Sequence, residues 1–376
     1  MNILMMVSWY TPQGVEKLEA GVFHYEQAMD LKKHCNVAIY FPFDKDIQEK
    51  ETKKEEWGLL TYRSKYKTCG ILQAKKQIKR TMKRIVREFK PDIIHAHCAG
   101  GAGYYAITEG KRYHIPVIVT EHTPIGISHF NRIGLSRYFA KVAYSNSVAN
   151  ICVSNASRDE LKNIFPQCDF DVIYNGIIFP DNIEYEKKYY VDGYINIVIV
   201  AVLYDLEIKG MKYLLKAMQL LKENNQKIML HHIGGGQYLE YFKNMAQKLD
   251  IEDICVFHGV CERNELYRIE KEMDFFVSSS LVESAGMSVQ EAMLLGKPIL
   301  GTNSGGVDSL VPKEAGMIVE KGNAEVLKEG IIKMTEELEK FDTEWIQEYA
   351  YGNFEIGNIS QKYIDLYNKV ITNNAL

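Results

Sequence analysis

Cysteine is sparse and unpatterned in this 376-residue chain. Cys35, Cys69, Cys98, Cys152, Cys168, Cys255 and Cys261 are dispersed with no C-x-x-C pair, which argues against a disulfide framework and against zinc-ribbon spacing. Long apolar runs are missing too. The longest near-continuous stretch, 195–203, falls well short of the ~20 residues that span a bilayer. No cationic segment precedes the first apolar run, so a secretory leader is not expected and a cytoplasmic location is. The formal net charge is only −4, which argues against a general nucleic-acid binder. No Walker A sequence occurs.

What the chain does have is enough apolar residue, 46%, for full cores, and a length that suggests two domains. Short Ile/Val-rich runs recur at 3–8, 36–41, 92–97, 116–120, 150–153 and 172–174. They continue at 196–203, 227–233, 254–257, 274–277, 298–300 and 317–319. Segments of helical period separate them, and the runs do not alternate polar with apolar, as strands covered on both faces should not. Repeated strand–helix alternation predicts parallel, doubly wound α/β sheets, and a dozen strands are too many for one sheet. Asn175-Gly176 marks a turn before a stretch with no clear period. The expectation is therefore two Rossmann-like domains, 1–178 and 179–352, facing each other across a cleft, with a last helix at 353–376 packing back on the first.

The small net charge conceals an asymmetry. Residues 1–179 hold 25 basic and 18 acidic residues, a net +7, and the remainder holds 20 and 31, a net −11. Residues 61–90 carry eleven basic residues and Glu88 as the one acid. There Ile71, Ile78, Met82, Ile85 and Phe89 recur at helical spacing, with Lys75, Lys76, Lys79, Arg80, Lys83, Arg84 and Arg87 between them. The apolar stripe is expected to pack on the sheet, and the basic face is then free to meet an anionic membrane.

The richest chemistry lies in 274–311. A buried strand ends in Ser278-Ser279-Ser280, a turn holds Gly286, and a helix follows from about Met287. Parallel sheets bind ligands beyond the carboxyl ends of their strands, where helix amides point outward. The amides of Gly286, Met287 and Ser288 therefore suit a phosphate. Glu283 and Glu291 flank that anion site. Carboxylates would repel a phosphate, so their expected task is to accept hydrogen bonds from hydroxyl-rich groups. A phosphate between two polyols describes a nucleotide-sugar.

Glu283 and Glu291 in an E-x₇-E pattern, followed by Ala292-Met293 and Gly296-Lys297-Pro298, resemble the retaining GT-B glycosyltransferases of family 4. The likeness extends along most of the chain. Pro91-Asp92-Ile93-Ile94-His95-Ala96-His97 and the run from Ile115 to Thr120-Glu121-His122 look like two of the family's strands. Val153-Ser154, Asn175-Gly176, Lys209-Gly210 and Ser304-Gly305-Gly306 follow in the family's order. The resemblance implies that Glu283 contacts donor-sugar hydroxyls near the reacting carbon and that Glu291 binds the ribose. It further implies that Lys209 neutralises the diphosphate, that His122 reaches the donor sugar near its O6, and that Gly21 admits the donor to the backbone. It implies a hexosyltransferase-type activity from a UDP-linked donor to a glycan or lipid-linked acceptor, in bacterial surface polysaccharide synthesis. Retention of configuration, with no metal and no cofactor, is implied as well. The N-terminal domain would hold the acceptor, at the inner face of the membrane. A GT-B epimerase or phosphorylase, or a non-catalytic GT-B binding module, are the alternatives.

The chain departs from that pattern in three places. No Arg occurs at 196–208, where the family usually has one to pair with the Lys on the diphosphate. The first loop has only Gly14 and Gly21, and Gly234-Gly235-Gly236 replaces Gly-Asp-Gly. Among rival signals, Gly101, Gly103 and Ala106 match a G-x-G-x-x-A dinucleotide fingerprint, with Glu121 twenty residues on. At least two strands precede it, so a tight strand–helix turn is the preferred reading. His95, His97 and His122 could hold a metal, but no further strand-end ligand completes the set, and histidines lining a polar cleft are expected instead. Asp44-Lys45-Asp46 opens the charged stretch 44–56, expected to be a solvated loop.

Overall fold

The computed structural model describes residues 1–10, 22–66, 71–123, 134–180, 183 and 187–374. The chain divides into two units, one formed by Met1–Ile178 with Ile356–Leu376 and the other by Phe179–Glu355.

The first unit is built on β1 (Asn2–Met6), α1 (Val22–Leu31), β2 (Asn36–Asp44), β3 (Glu51–Glu56), β4 (Leu59–Lys65), α2 (Ile71–Glu88) and β5 (Ile93–His97). It continues with a π-helical turn (Ala99–Gly103), α3 (Tyr104–Tyr113), β6 (Val117–Glu121), α4 (Leu135–Asn146), β7 (Ala149–Cys152), α5 (Asn155–Ile164) and β8 (Asp171–Val172). The strands form one sheet in the order β3-β4-β2-β1-β5-β6-β7-β8. Every pairing is parallel except β3 with β4. β1 and β5 are neighbours although five elements separate them in sequence, so the winding reverses there. Ile78, Met82 and Ile85 of α2 enter the core beside Tyr40 and Tyr62, as the helical stripe predicts.

The second unit holds β9 (Ile195–Val200), α6 (Met211–Glu223), β10 (Ile228–Ile233), α7 (Leu239–Lys248), β11 (Cys255–Gly259), α8 (Arg263–Glu272) and β12 (Phe275–Ser278). Then come α9 (Met287–Leu294), β13 (Ile299–Thr302), β14 (Gly316–Val319), α10 (Ala324–Glu337) and α11 (Thr343–Phe354). Its sheet is wholly parallel, β11-β10-β9-β12-β13-β14, with the reversal between β9 and β12. Strands buried on both faces explain the unbroken Ile/Val runs. The last helix, α12, runs Ile356–Asn374. It lies in the first unit, where Ile359, Tyr363, Tyr367 and Val370 pack with Ile3, Met5 and Ile118. Asn353, expected in this helix, instead lies in the last turn of the preceding α11, because Glu355 leaves helical geometry between the two.

Within the stretch 44–56, residues 45–50 form the expected, mostly exposed loop, but the two ends of the stretch do not. β2 runs through Asp44, and β3 pairs antiparallel with β4 as an edge strand. Asp44, Glu51 and Glu56 turn inward because cations compensate them, whereas Lys53, Lys54 and Glu55 stay exposed. The Arg63 guanidinium, 2% exposed, donates to Asp44 at 2.6 Å and to Glu56 at 2.6 Å. Glu51 and Glu88 reach the basic face of α2, pairing with Arg80, Arg84 and Arg87. Among the described residues, Lys75, Lys76, Lys79 and Lys83 keep that face exposed and unpaired.

Candidate active site

Both reversals place strand carboxyl ends side by side, which is where open parallel sheets collect ligands. In the second unit the chain leaving β9 meets the chain leaving β12. Leu281 N–H donates to the Ile208 carbonyl at 2.7 Å, and the Ser279 hydroxyl donates to the Lys209 carbonyl at 2.8 Å. This contact requires glycine at 210. Its φ is +62°, and a Cβ there would lie 1.8 Å from the Ser279 carbonyl oxygen. Thus the Lys209-Gly210 pair is a device for pressing the lysine loop against the serine-rich end of β12.

Lys209 and Glu283, 74 positions apart, meet here with Nζ 2.7 Å from Oε2. They are 30% and 19% exposed, so the pair is reachable by a ligand. The Glu283 backbone is held by a parallel bridge to Gly305. Its N–H donates to the Ser304 carbonyl, and its carbonyl accepts from Gly306 N–H at 2.8 Å. Gly286 at φ +57° starts α9, and an L side chain would be strained in that left-handed conformation. The first-turn amides at Met287 and Ser288 lack intrahelical acceptors, as in any helix. Glu291, inside α9, accepts from the Tyr267 hydroxyl at 3.1 Å and from Arg263 at 3.4 Å. Burial and the Glu291 carboxylate push the Tyr267 phenol well above its ordinary value, so it stays a donor. Glu270 is fully buried, and burial together with Glu291 holds it protonated well above the usual carboxylate range.

Glu283, Lys209, Gly286, Met287, Ser288 and Glu291 therefore fall at one strand-end region of one unit. His122 belongs to the first unit and Gly21 lies outside the described residues. Sequence reasoning missed Arg263, Tyr267 and Glu270 beside Glu291. The helical run at 262–271 was legible, yet which of its faces meets α9 is a tertiary property.

At the first unit's reversal, the histidines are buried rather than lining an open edge. His95 is satisfied on both ring nitrogens, by the Tyr367 hydroxyl at 2.6 Å and the Thr120 hydroxyl at 2.8 Å. His97 Nδ1 lies 2.9 Å from His122 Nε2. His24 of α1, absent from the sequence-based candidates, joins them, with its ring 4.6 Å from that of His97 and 5.3 Å from that of His122. Burial lowers all four imidazoles, His95 and His122 to about 3, so they are neutral. The glycine fingerprint at 101–106 also has a structural explanation. The buried Glu121 carboxylate accepts from Ala99 N–H at 3.0 Å, from Thr123 N–H at 3.0 Å and from the Tyr144 hydroxyl at 2.8 Å. A carboxylate of the chain itself thus caps the turn where a dinucleotide would place its phosphates.

Residues 20–178 match the family described as Glycosyltransferase Family 4, and residues 184–350 match Glycosyl transferases group 1. The chain is 25% identical over 339 residues to an alpha-monoglucosyldiacylglycerol synthase of Streptococcus pneumoniae, covering 83% of this chain and 73% of that one. It is 24% identical to a putative teichuronic acid biosynthesis glycosyltransferase of Bacillus subtilis, over 90% of each. The Anabaena protein HepE, solved in complex with UDP, superposes with a TM-score of 0.74 at 17% identity, covering 98% of this chain and 100% of that one. With two parallel α/β units, each wound around a reversal, and the two family matches falling one on each, the chain belongs to the family 4 glycosyltransferases of GT-B fold.

Proposed function

We propose that this glycosyltransferase moves a hexosyl group, with retention, from a UDP-linked donor to a glycan or lipid-linked acceptor in surface polysaccharide or glycolipid synthesis. The observation that carries the reading is the Lys209–Glu283 pair beside the amino end of α9, with Glu291 one turn inside that helix. Lys209 and the α9 amides offer positive charge to a diphosphate, and they favour its departure by stabilising the charge that develops as the glycosidic bond breaks. Diphosphate binding draws Lys209 from Glu283, which frees that carboxylate for sugar hydroxyls and for the positive charge growing on the sugar. Glu291, oriented by the Tyr267 hydroxyl, accepts from the ribose. His122, neutral and buried, is assigned to a donor-sugar hydroxyl. None of these roles requires a metal ion.

The four exposed lysines of α2, opposite its buried Ile78, Met82 and Ile85, support docking on an anionic membrane surface, and hence a lipid-linked acceptor. No helix among the described residues is long and apolar enough to cross a membrane. The test is a panel of nucleotide-sugars, following nucleotide release with and without membrane extract, and the anomeric configuration of the product by NMR. Acceptor-stimulated UDP release with an α-linked product from an α-linked donor is expected. An inverted product overturns retention, and interconversion of donor sugars without release indicates an epimerase.

A further inference from the structure

His24, His97 and His122 come from the first turn of α1, the end of β5 and the residue after β6. One ring nitrogen of each lies within 4.8 Å of the others. Their environment differs from that of His95, immediately beside them, whose two ring nitrogens are both hydrogen-bonded. Among the described residues, the one hydrogen bond within the trio joins His97 Nδ1 and His122 Nε2. Both nitrogens of His24 and Nε2 of His97 are buried without a hydrogen bond, and Nδ1 of His122 is buried with only the Asn175 side chain acting on its ring. Buried polar atoms left without partners are costly in a folded protein, so this many in one place call for a ligand.

The donor set narrows the ligand. Burial holds all three imidazoles neutral, the form that offers a lone pair. Three nitrogens with no carboxylate or thiolate among them suit a borderline cation such as zinc and not magnesium or calcium, which take oxygen ligands. Tetrahedral zinc at about 2.0–2.1 Å from each nitrogen separates its ligands by about 3.4 Å. The His97–His122 contact of 2.9 Å need open only slightly, and cation binding must draw His24 in from within 4.8 Å.

We infer that His24, His97 and His122 form a binding site for a borderline divalent cation, best matched by Zn(II). On the reading of His122 given above, occupancy withdraws it from the sugar, so the cation inhibits transfer rather than supporting it. The test uses the metal-free full chain. Zn(II) titrated by calorimetry is expected to bind one per chain, and Co(II) to give the intense visible absorption of a tetrahedral nitrogen site. His24→Phe and His24→Gln should each weaken binding at least tenfold. Cys261→Ser and His258→Asn, outside the trio, should not. Zn(II) should raise the melting temperature of the parent chain but not of the His24 variants, by binding only the folded state. Absence of micromolar binding, or binding that survives both His24 variants, overturns the site. Spectrum and stoichiometry decide this without any assay of transfer. Binding without loss of UDP release overturns only the inhibition and the sugar contact of His122.

Discussion

The two units share a construction, a parallel sheet with one reversal, yet they furnish its strand ends with opposite chemistry. In the second unit the reversal carries charge, with Lys209 on Glu283, Arg263 on Glu291, and a helix amino end beside them. In the first it carries neutral imidazoles, held uncharged by burial. The first unit's exposed positive charge is concentrated elsewhere, on the outer face of α2. The +7 and −11 halves thus differ in where their charge sits as well as in its sign. Topology sets where a ligand is received, and the residues at the strand ends decide whether it is met as an anion or as a neutral hydroxyl.

The comparison breaks most sharply if the charged reversal is expendable. Glu283→Ala and Lys209→Ala should each lower transfer by about 10²–10³-fold, the usual effect of removing one preorganised group from developing charge. Steady-state kinetics with a fixed acceptor measure this, and near-parental rates in either variant remove the pair from the site.

A smaller effect concerns the neutral reversal. A folded-state imidazole held well below its unfolded value contributes stability that is complete above the unfolded pKa of about 6.5 and is lost as pH falls toward the folded value. Urea midpoints should therefore drop between pH 7.5 and 5.5. His24→Phe, lacking one such group, should lose about 1.4 kcal/mol less per pH unit below 6.5. Parallel slopes for parent and variant contradict a neutral buried His24.

The smallest effect belongs to the outer face of α2. Lys79→Ser should weaken binding to anionic vesicles by about 1 kcal/mol, roughly fivefold, and added salt should narrow the difference. Arg84→Ser should do less, because Arg84 already pairs with Glu51 and Glu88. Equal losses for the two would show that ion pairing does not decide which residues meet lipid.

Much of this was legible in the sequence, for identifiable reasons. The α2 stripe, the β5 and β12 runs and the turn into α9 are local patterns, so their periods announced them. The β3–β4 hairpin was not, because a Glu51–Glu56 segment composed of Thr and charged residues has no apolar signal. It becomes a strand through side-chain partners that periodicity does not reveal, Arg63 on β4 and, farther along the chain, the basic face of α2. In the candidate site, residue types and order were readable, whereas the pairing of Lys209 with Glu283 depends on how two loops are pressed together across the β9–β12 reversal. His24 was unreadable for the same reason: a lone histidine on a helix does not reveal that two others close over it.

The most direct measurement is UDP binding by calorimetry to the parent chain, Lys209→Ala and His122→Ala. UDP carries the diphosphate without the sugar, so it probes the charged reversal alone. Losing a hydrogen bond to a charged group, worth about 1.5–3 kcal/mol, should weaken UDP binding to Lys209→Ala about 10–100-fold and leave His122→Ala at parental affinity. Unchanged affinity in Lys209→Ala would contradict the assignment of the diphosphate to the second unit's strand ends.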